Sequence, residues 1–138
     1  MTDVFQLEIV TPEKMIVRDN AESVQIPGLD GYLGVLPGHA PLITELGAGE
    51  IAYRANGQSH RYAVAWGFAE VLQDRVTVLA ETAELANEID VPRAQRALAA
   101  AEESLKSAQT EDDFTNANAK IRVAQARIDV AQKKDISG

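Results

Sequence analysis

A 138-residue chain with no cysteine and two histidines, His39 and His60, could build a zinc site only from these histidines and carboxylates. The two histidines stand far apart, and neither has a carboxylate at the short spacing of a zinc site. His60 sits in an alternating stretch and is expected on a strand surface. The phosphate-cradling Gly-x4-Gly-Lys-Ser/Thr pattern is absent, as are Gly-x-Ser-x-Gly and His-Glu-x2-His, and Gly28, Gly31 and Gly34 lack dinucleotide-loop spacing. Without a convergent acid, base or nucleophile, the chain is expected not to be an enzyme and to need no metal or cofactor. What remains is charge. Residues 1–90 carry 5 Lys/Arg against 14 Asp/Glu, a net of −9, whereas residues 91–138 carry 8 against 7, a net of +1. An acidic first part repels phosphate, which argues against nucleic acid as a partner.

The elements that must position these charges are short. With 46% hydrophobic residues the composition is that of an ordinary globular protein, and no apolar run approaches the roughly 20 residues that span a bilayer. Met1-Thr2-Asp3 runs straight into the alternating stretch Val4 to Val10, so no signal or transit peptide is expected. The lack of cysteine suits a reducing compartment.

Phe5, Leu7 and Ile9 alternate with Gln6 and Glu8, the pattern of a half-buried strand. Val24–Ile26, Leu33–Leu36 and Leu42–Ile43 follow, bounded by Pro27-Gly28, Pro37-Gly38 and Gly47. Asn56-Gly57, between Ile51–Arg54 and His60–Val64, predicts a hairpin with a type I′ turn, whose two central residues need positive φ. Phe68–Leu72 and Arg75–Leu79, joined across Gln73-Asp74, predict a second hairpin. Strands at this spacing with no helical pattern between them imply an antiparallel β-sandwich or flattened barrel.

At Asp90 the period changes from two to about three and a half. Asp90 can cap a helix, Pro92 falls in its first turn, and Arg93 can pair with a nearby carboxylate. Val91, Ala94, Leu98, Ala101, Leu105 and Ala108 form one seam, and Phe114, Ala117, Ile121, Ala124, Ile128 and Ala131 form another beyond a Thr110/Asp113 capping box. Folded back about residue 111, every large seam residue meets an alanine, which lets two helices approach closely. An off-register or extended arrangement would leave the same seam for another partner. The expected organisation is a β-sandwich over 1–84, a linker over 85–90 and an antiparallel two-helix hairpin over 91–138.

Three stretches carry a family resemblance. The first is Gly31, Leu33, Gly34, Pro37, Gly38, His39, Pro41 and Leu42. The second is Gly67-Phe68-Ala69-Glu70-Val71 with Val76–Ala80, and the third is Ile89-Asp90-Val91-Pro92-Arg93-Ala94. In order and spacing they resemble the epsilon subunit of the F-type rotary ATP synthase. Trp66 stands where that family usually has a small residue, and Tyr32 where a polar one is common.

The resemblance implies a non-catalytic central-stalk subunit that couples ion-driven rotation to ATP synthesis and restrains ATP hydrolysis through its helices. Its sandwich would grip the gamma shaft and rest on the c ring, with Asp30, Gly31, Tyr32 and His39 in the contact loop. Its hairpin would extend between the beta and alpha subunits, meeting an acidic beta segment with Arg93, Arg96, Lys106, Lys120, Arg122 and Arg127. The chain would reach the cytoplasmic face of the bacterial inner membrane only as part of the complex. Some members bind ATP, and of the residues used there Glu84, Asp90, Arg93 and Arg127 match, while Ala100 and Val123 replace two arginines. Arg122 lies beside the second lost position, but five steps of roughly 100° set it on a different face from Arg127. ATP is therefore expected to be at most a weak regulatory ligand. The rival is a nucleotide-sensing β-sandwich module whose hairpin is a lid.

Overall fold

The computed structural model describes residues 3–133. Seven strands come first: β1 (Phe5–Val10), β2 (Met15–Ala21), β3 (Ser23–Gly28), β4 (Gly31–Val35), β5 (Leu42–Ala55), β6 (Gln58–Val71) and β7 (Arg75–Leu85). A single 3-10 turn, Ala86–Glu88, leads to helices α1 (Val91–Lys106) and α2 (Glu111–Gln132). The expected C-terminal boundary at residue 138 lies outside the described residues.

The strands pair in the order β2-β1-β7-β6-β5-β3-β4 and wrap around one core that includes Phe5, Leu7, Ile9, Ile26, Ile51 and Val78. One pairing departs from the antiparallel expectation: β1 runs parallel to β7, with Gln6 opposite Arg75 and Val10 opposite Leu79. Strand β2 has no strong alternating signature, because Arg18, Asp19 and Asn20 follow its apolar Ile16-Val17. The chain was also expected to break at Gly47 and around residue 66, yet β5 and β6 each run unbroken for 14 residues. Asn56 and Gly57 have φ of 54° and 75°, as the type I′ turn requires.

What the glycines do inside these long strands is shift the alternation. In β6, Tyr62 and Val64 face the core, but so do Ala69 and Val71, so the pattern slips by one between them. Strand β5 slips likewise between Leu46 and Ile51, and β7 between Ala80 and Ala83. The slip in β6 is marked by positive φ at Trp66 (58°) and Gly67 (118°). As a result the outer face of β5, β6 and β7 is divided into two fields with different side chains.

The helices start where capping chemistry dictates. The Asp90 side chain accepts a hydrogen bond from the Arg93 N–H at 3.1 Å, and the Thr110 hydroxyl accepts one from the Asp113 N–H at 3.0 Å. The Asp113 carboxylate reaches back to the Gln109 N–H rather than to Thr110. Of the expected seam, Ala94, Ala101, Ala117, Ala124 and Ile128 are buried and only Phe114, at the hairpin tip, is exposed. Helix α2 has a second apolar face that the seam did not include: Ala126 and Val130 are buried, and Val130 packs with Ala63 and Ile89. This face lays α2 on β5 and β6, while α1 packs chiefly on α2.

Gly67 has the least room for a side chain of the glycines in the sheet. A Cβ there would lie 1.9 Å from the Leu79 carbonyl oxygen, a backbone atom with nowhere to go. Gly67→Ala is expected to cost about 3 kcal/mol or more in a denaturant titration. A loss below about 1 kcal/mol would show that the slip can relax around a side chain.

Candidate functional site

The residues singled out from the sequence fall into three places. Glu84, Arg93 and Arg127 line one cleft of about 400 Å³ between β6, β7, α1 and α2, together with Val64, Thr82 and Val123. Arg127 is already engaged there: its Nε and Nη2 donate to the two Glu84 oxygens at 2.9 and 3.4 Å. Asp90 does not line the cleft and spends its carboxylate on the helix cap. Val123 presents a methyl-bearing wall where an arginine would present donors, and Ala100 lines an adjoining groove with Trp66 and Ser104 that shares Val123 and Arg127 with the first.

The expected contact loop is split. Asp30, Gly31 and Tyr32 are exposed at one end of β4, whereas His39 lies past the other end, its Nδ1 2.7 Å from the Ala40 carbonyl oxygen. The Gly38 N–H donates to the Gln73 carbonyl at 2.8 Å, which ties the His39 turn to the β6–β7 turn. Tyr32 leans the other way, under the hairpin. It lines a cleft with Arg122, Asp129 and Lys133, and its hydroxyl accepts the Glu50 N–H at 3.1 Å. Gly49 makes this approach possible, since a Cβ there would be 2.7 Å from the Tyr32 hydroxyl.

The six basic residues expected on the hairpin also divide. Arg93, Arg96, Lys106 and Lys120 are exposed, with Lys106 Nζ 3.9 Å from its helix neighbour Glu103. Arg127 is bound to Glu84, and the Arg122 guanidinium lies 5.0 Å from the centre of the Trp66 ring. The different-face expectation for these two arginines fits their separate docking points.

A polar group that sequence reasoning missed holds the far end of α2. Glu50 is the one charged side chain counted as buried among the described residues. Its carboxylate accepts from Arg61 Nε at 2.8 Å and from Lys133 Nζ at 2.9 Å. Arg61 in turn donates to the Val130 and Lys133 carbonyl oxygens. Glu50 and Lys133 are too far apart in the chain for any spacing rule to pair them. Tyr53 stacks on His60 with ring centroids 4.8 Å apart, so His60 lies half-buried beside a core tyrosine, on the inward side of β6 with Tyr62, and not on the outer strand surface expected. Burial, with Tyr62 and Asp19 close by, pushes the Tyr53 hydroxyl well above its ordinary range, so it remains a donor, 3.4 Å from Asp19 Oδ2.

The half of the outer sheet face not covered by α2 carries an exposed apolar row set among charged side chains, with Glu45 opposite Phe68 and Glu70 opposite Ile43. Phe68 and Leu79 are directly opposed and 53% and 54% exposed, Ile43 beside them is 70% exposed, and Val10 and Met15 extend the row across β1 and β2. No group of three or more metal-ligating side chains occurs among the described residues, and no helix there is long and apolar enough to cross a membrane.

Comparison with known proteins gives a consistent picture. Residues 4–86 match the family described as ATP synthase, Delta/Epsilon chain, beta-sandwich domain, and residues 87–132 match its long alpha-helix domain. The ATP synthase epsilon chain of Koribacter versatilis is 60% identical over 111 residues, covering 80% of this chain and 78% of that protein. The ATP synthase epsilon chain of Citrifermentans bemidjiense is 46% identical over 134 residues, covering 96% and 97%. Among solved structures, a chain of the Euglena gracilis mitochondrial ATP synthase superposes with a TM-score of 0.81 at 21% identity, covering 91% of this chain and 80% of that one. A chain of the Tetrahymena thermophila mitochondrial ATP synthase central stalk and c-ring gives 0.71 at 10% identity, covering 93% and 96%. At these identities the two structures speak for the fold.

Proposed function

The chain belongs to the ATP synthase epsilon chain family, and from that premise we propose that it is a non-catalytic central-stalk subunit that couples gamma to the c ring and restrains ATP hydrolysis. The observation that carries this reading is the division of the outer sheet face. One half bears the row Phe68, Leu79, Val10 and Met15, with exposed Ile43, Glu45 and Glu70 at its side, and the other is covered by a helix held largely through polar contacts. A contiguous exposed apolar row is costly to leave in water and marks a surface made for a constant partner. We assign it to the gamma shaft, with His39 at its edge. A helix held through ion pairs can be exchanged for another partner, because charged contacts are replaceable by water or by other charges.

The hairpin is then the regulatory part. Extended between the beta and alpha subunits, it would offer Arg122 and Arg127, freed from Trp66 and Glu84, along with Arg93, Arg96, Lys106 and Lys120. In the complex the chain would sit at the cytoplasmic face of a bacterial inner membrane and touch lipid nowhere itself. Asp30 and Gly31, at the exposed β3–β4 turn, are assigned to the c ring.

A nucleotide-sensing role is less well supported. The Glu84, Arg93 and Arg127 cleft carries Val123, and the groove adjoining it Ala100, where ATP-binding members have arginines, and each charge-assisted bond to phosphate contributes roughly 1.5–3 kcal/mol. Calorimetry on the isolated chain is expected to give an ATP affinity of about millimolar or weaker. Micromolar binding would put the sensor first.

The test of the stalk assignment is a gamma-binding measurement on Phe68→Ser with Leu79→Ser. Both side chains are half exposed, so the fold should be nearly unaffected. Affinity for gamma is expected to fall at least about thirtyfold. Unchanged affinity would place the gamma contact elsewhere.

A further inference from the structure

The last turn of α2 contains no basic residue, although a helix C-terminus carries partial negative charge and unpaired carbonyls. The sheet supplies what the helix lacks. Arg61, on β6, donates through one terminal nitrogen to the Val130 carbonyl and through the other to that of Lys133, while its Nε holds Glu50. Lys133, the C-cap residue, folds back onto the same carboxylate. Each charged nitrogen and oxygen of the group has a partner, and no buried side-chain nitrogen or oxygen among the described residues lacks one.

We propose that Glu50 and Arg61 form a clasp that caps α2 from the sheet and sets how long the hairpin stays down. Three features make it a clasp rather than a simple ion pair. Arg61 and Glu50 sit on adjacent strands, with their residues paired to Ala52 and Ala63, so they stay together whether or not α2 is present. The contacts to α2 go to its backbone end and to its final side chain, so they form only when the helix is complete and seated. The Tyr32 hydroxyl fixes the Glu50 backbone from the β3–β4 hairpin, so the clasp is joined to a turn that faces outward. When α2 lifts, Glu50 loses one of its two cations and the helix loses its cap, so its last turn frays as it leaves.

This inference rests on the reading that the hairpin can leave the sheet, and its test separates the two. Amide hydrogen exchange is followed on the full chain, comparing residues 124–132 with the sheet residues 51–55. In the wild type, α2 is expected to exchange through an opening that leaves the sheet protected. Exchange of α2 only with global unfolding would overturn the underlying reading and the clasp with it. In Glu50→Gln, α2 exchange is expected to accelerate at least about tenfold with sheet protection unchanged. Acceleration below about twofold would overturn the clasp alone.

Two controls keep the test decisive if the buried substitution damages the sheet. Lys133→Gln changes a half-exposed side chain at the end of the helix and is expected to accelerate α2 exchange about threefold. Raising salt from about 0.05 M to about 0.5 M should speed α2 opening in the wild type and have less effect in either variant. Trp66, the single tryptophan, lies under Arg122 and reports the same opening by its emission. A salt response equal in all three proteins would also overturn the proposal.

Discussion

The structure depends on a shift of one residue in the alternation of three neighbouring strands. A strand of 14 residues with a fixed period of two would present the same set of side chains outward along its whole length. The slip at Gly47, Trp66 and Gly67 breaks that rule. On one side of it Phe68, Leu79 and Ile43 point out, and on the other Glu50, Arg61 and Ala63 do. The conformation is enforced locally: Gly67 has no room for a Cβ against the Leu79 carbonyl, and Trp66 holds a left-handed φ that few bulky residues adopt. The strain at Trp66 is offset in the docked state by the Arg122 guanidinium over its ring. The slip thus gives one small sheet two outer fields, and links the strained residue to the helix that covers one of them.

The helix is held by a mixture that favours reversibility. Ala126 and Val130 bury little apolar area compared with the leucines and isoleucines of the sandwich core, so hydrophobic burial alone would make a loose contact. Three cationic side chains supplement it. Arg122 uses a ring face, Arg127 a half-buried carboxylate, and Lys133 the buried Glu50. Partly exposed pairs of this kind contribute modestly, about 1 kcal/mol or less each. Their value lies in register, since each fixes a different turn of α2. The alanine-rich helices need little help to remain helical, because alanine and the straight-chain residues around it have the highest helix propensity. An α-helix without tertiary packing is nevertheless marginal, so its amides exchange readily wherever docking is lost.

The sequence made the sandwich and the two helices visible because both follow from local periods. Asp90 and Thr110 are capping residues by chemistry alone, and Asn56-Gly57 allows one tight turn. What was hidden depends on contacts remote in the chain. The parallel β1–β7 pairing has no local signal, and Gly47 read as a break because a glycine that ends a strand and one that shifts its alternation look alike. The second face of α2 could have been found, since Val123, Ala126 and Val130 recur at three and four residues beside the seam. Among the candidate residues, Glu84, Arg93 and Arg127 do converge, but the loop grouping of Tyr32 with His39 does not, because a five-residue strand carries them to opposite ends. Glu50 reads as one more surface carboxylate until Arg61 and Lys133 are placed against it.

On the function proposed above, a sandwich that binds its shaft carries a separable helical brake. ATP hydrolysis by complexes reconstituted with the chain ended at Glu88 tests it most directly, against complexes containing the full chain. Normal incorporation of the shortened chain and faster hydrolysis are expected, because the sandwich and its apolar row are intact and the hairpin is gone. Failure of the shortened chain to assemble, or hydrolysis unchanged in fully assembled complexes, would contradict it.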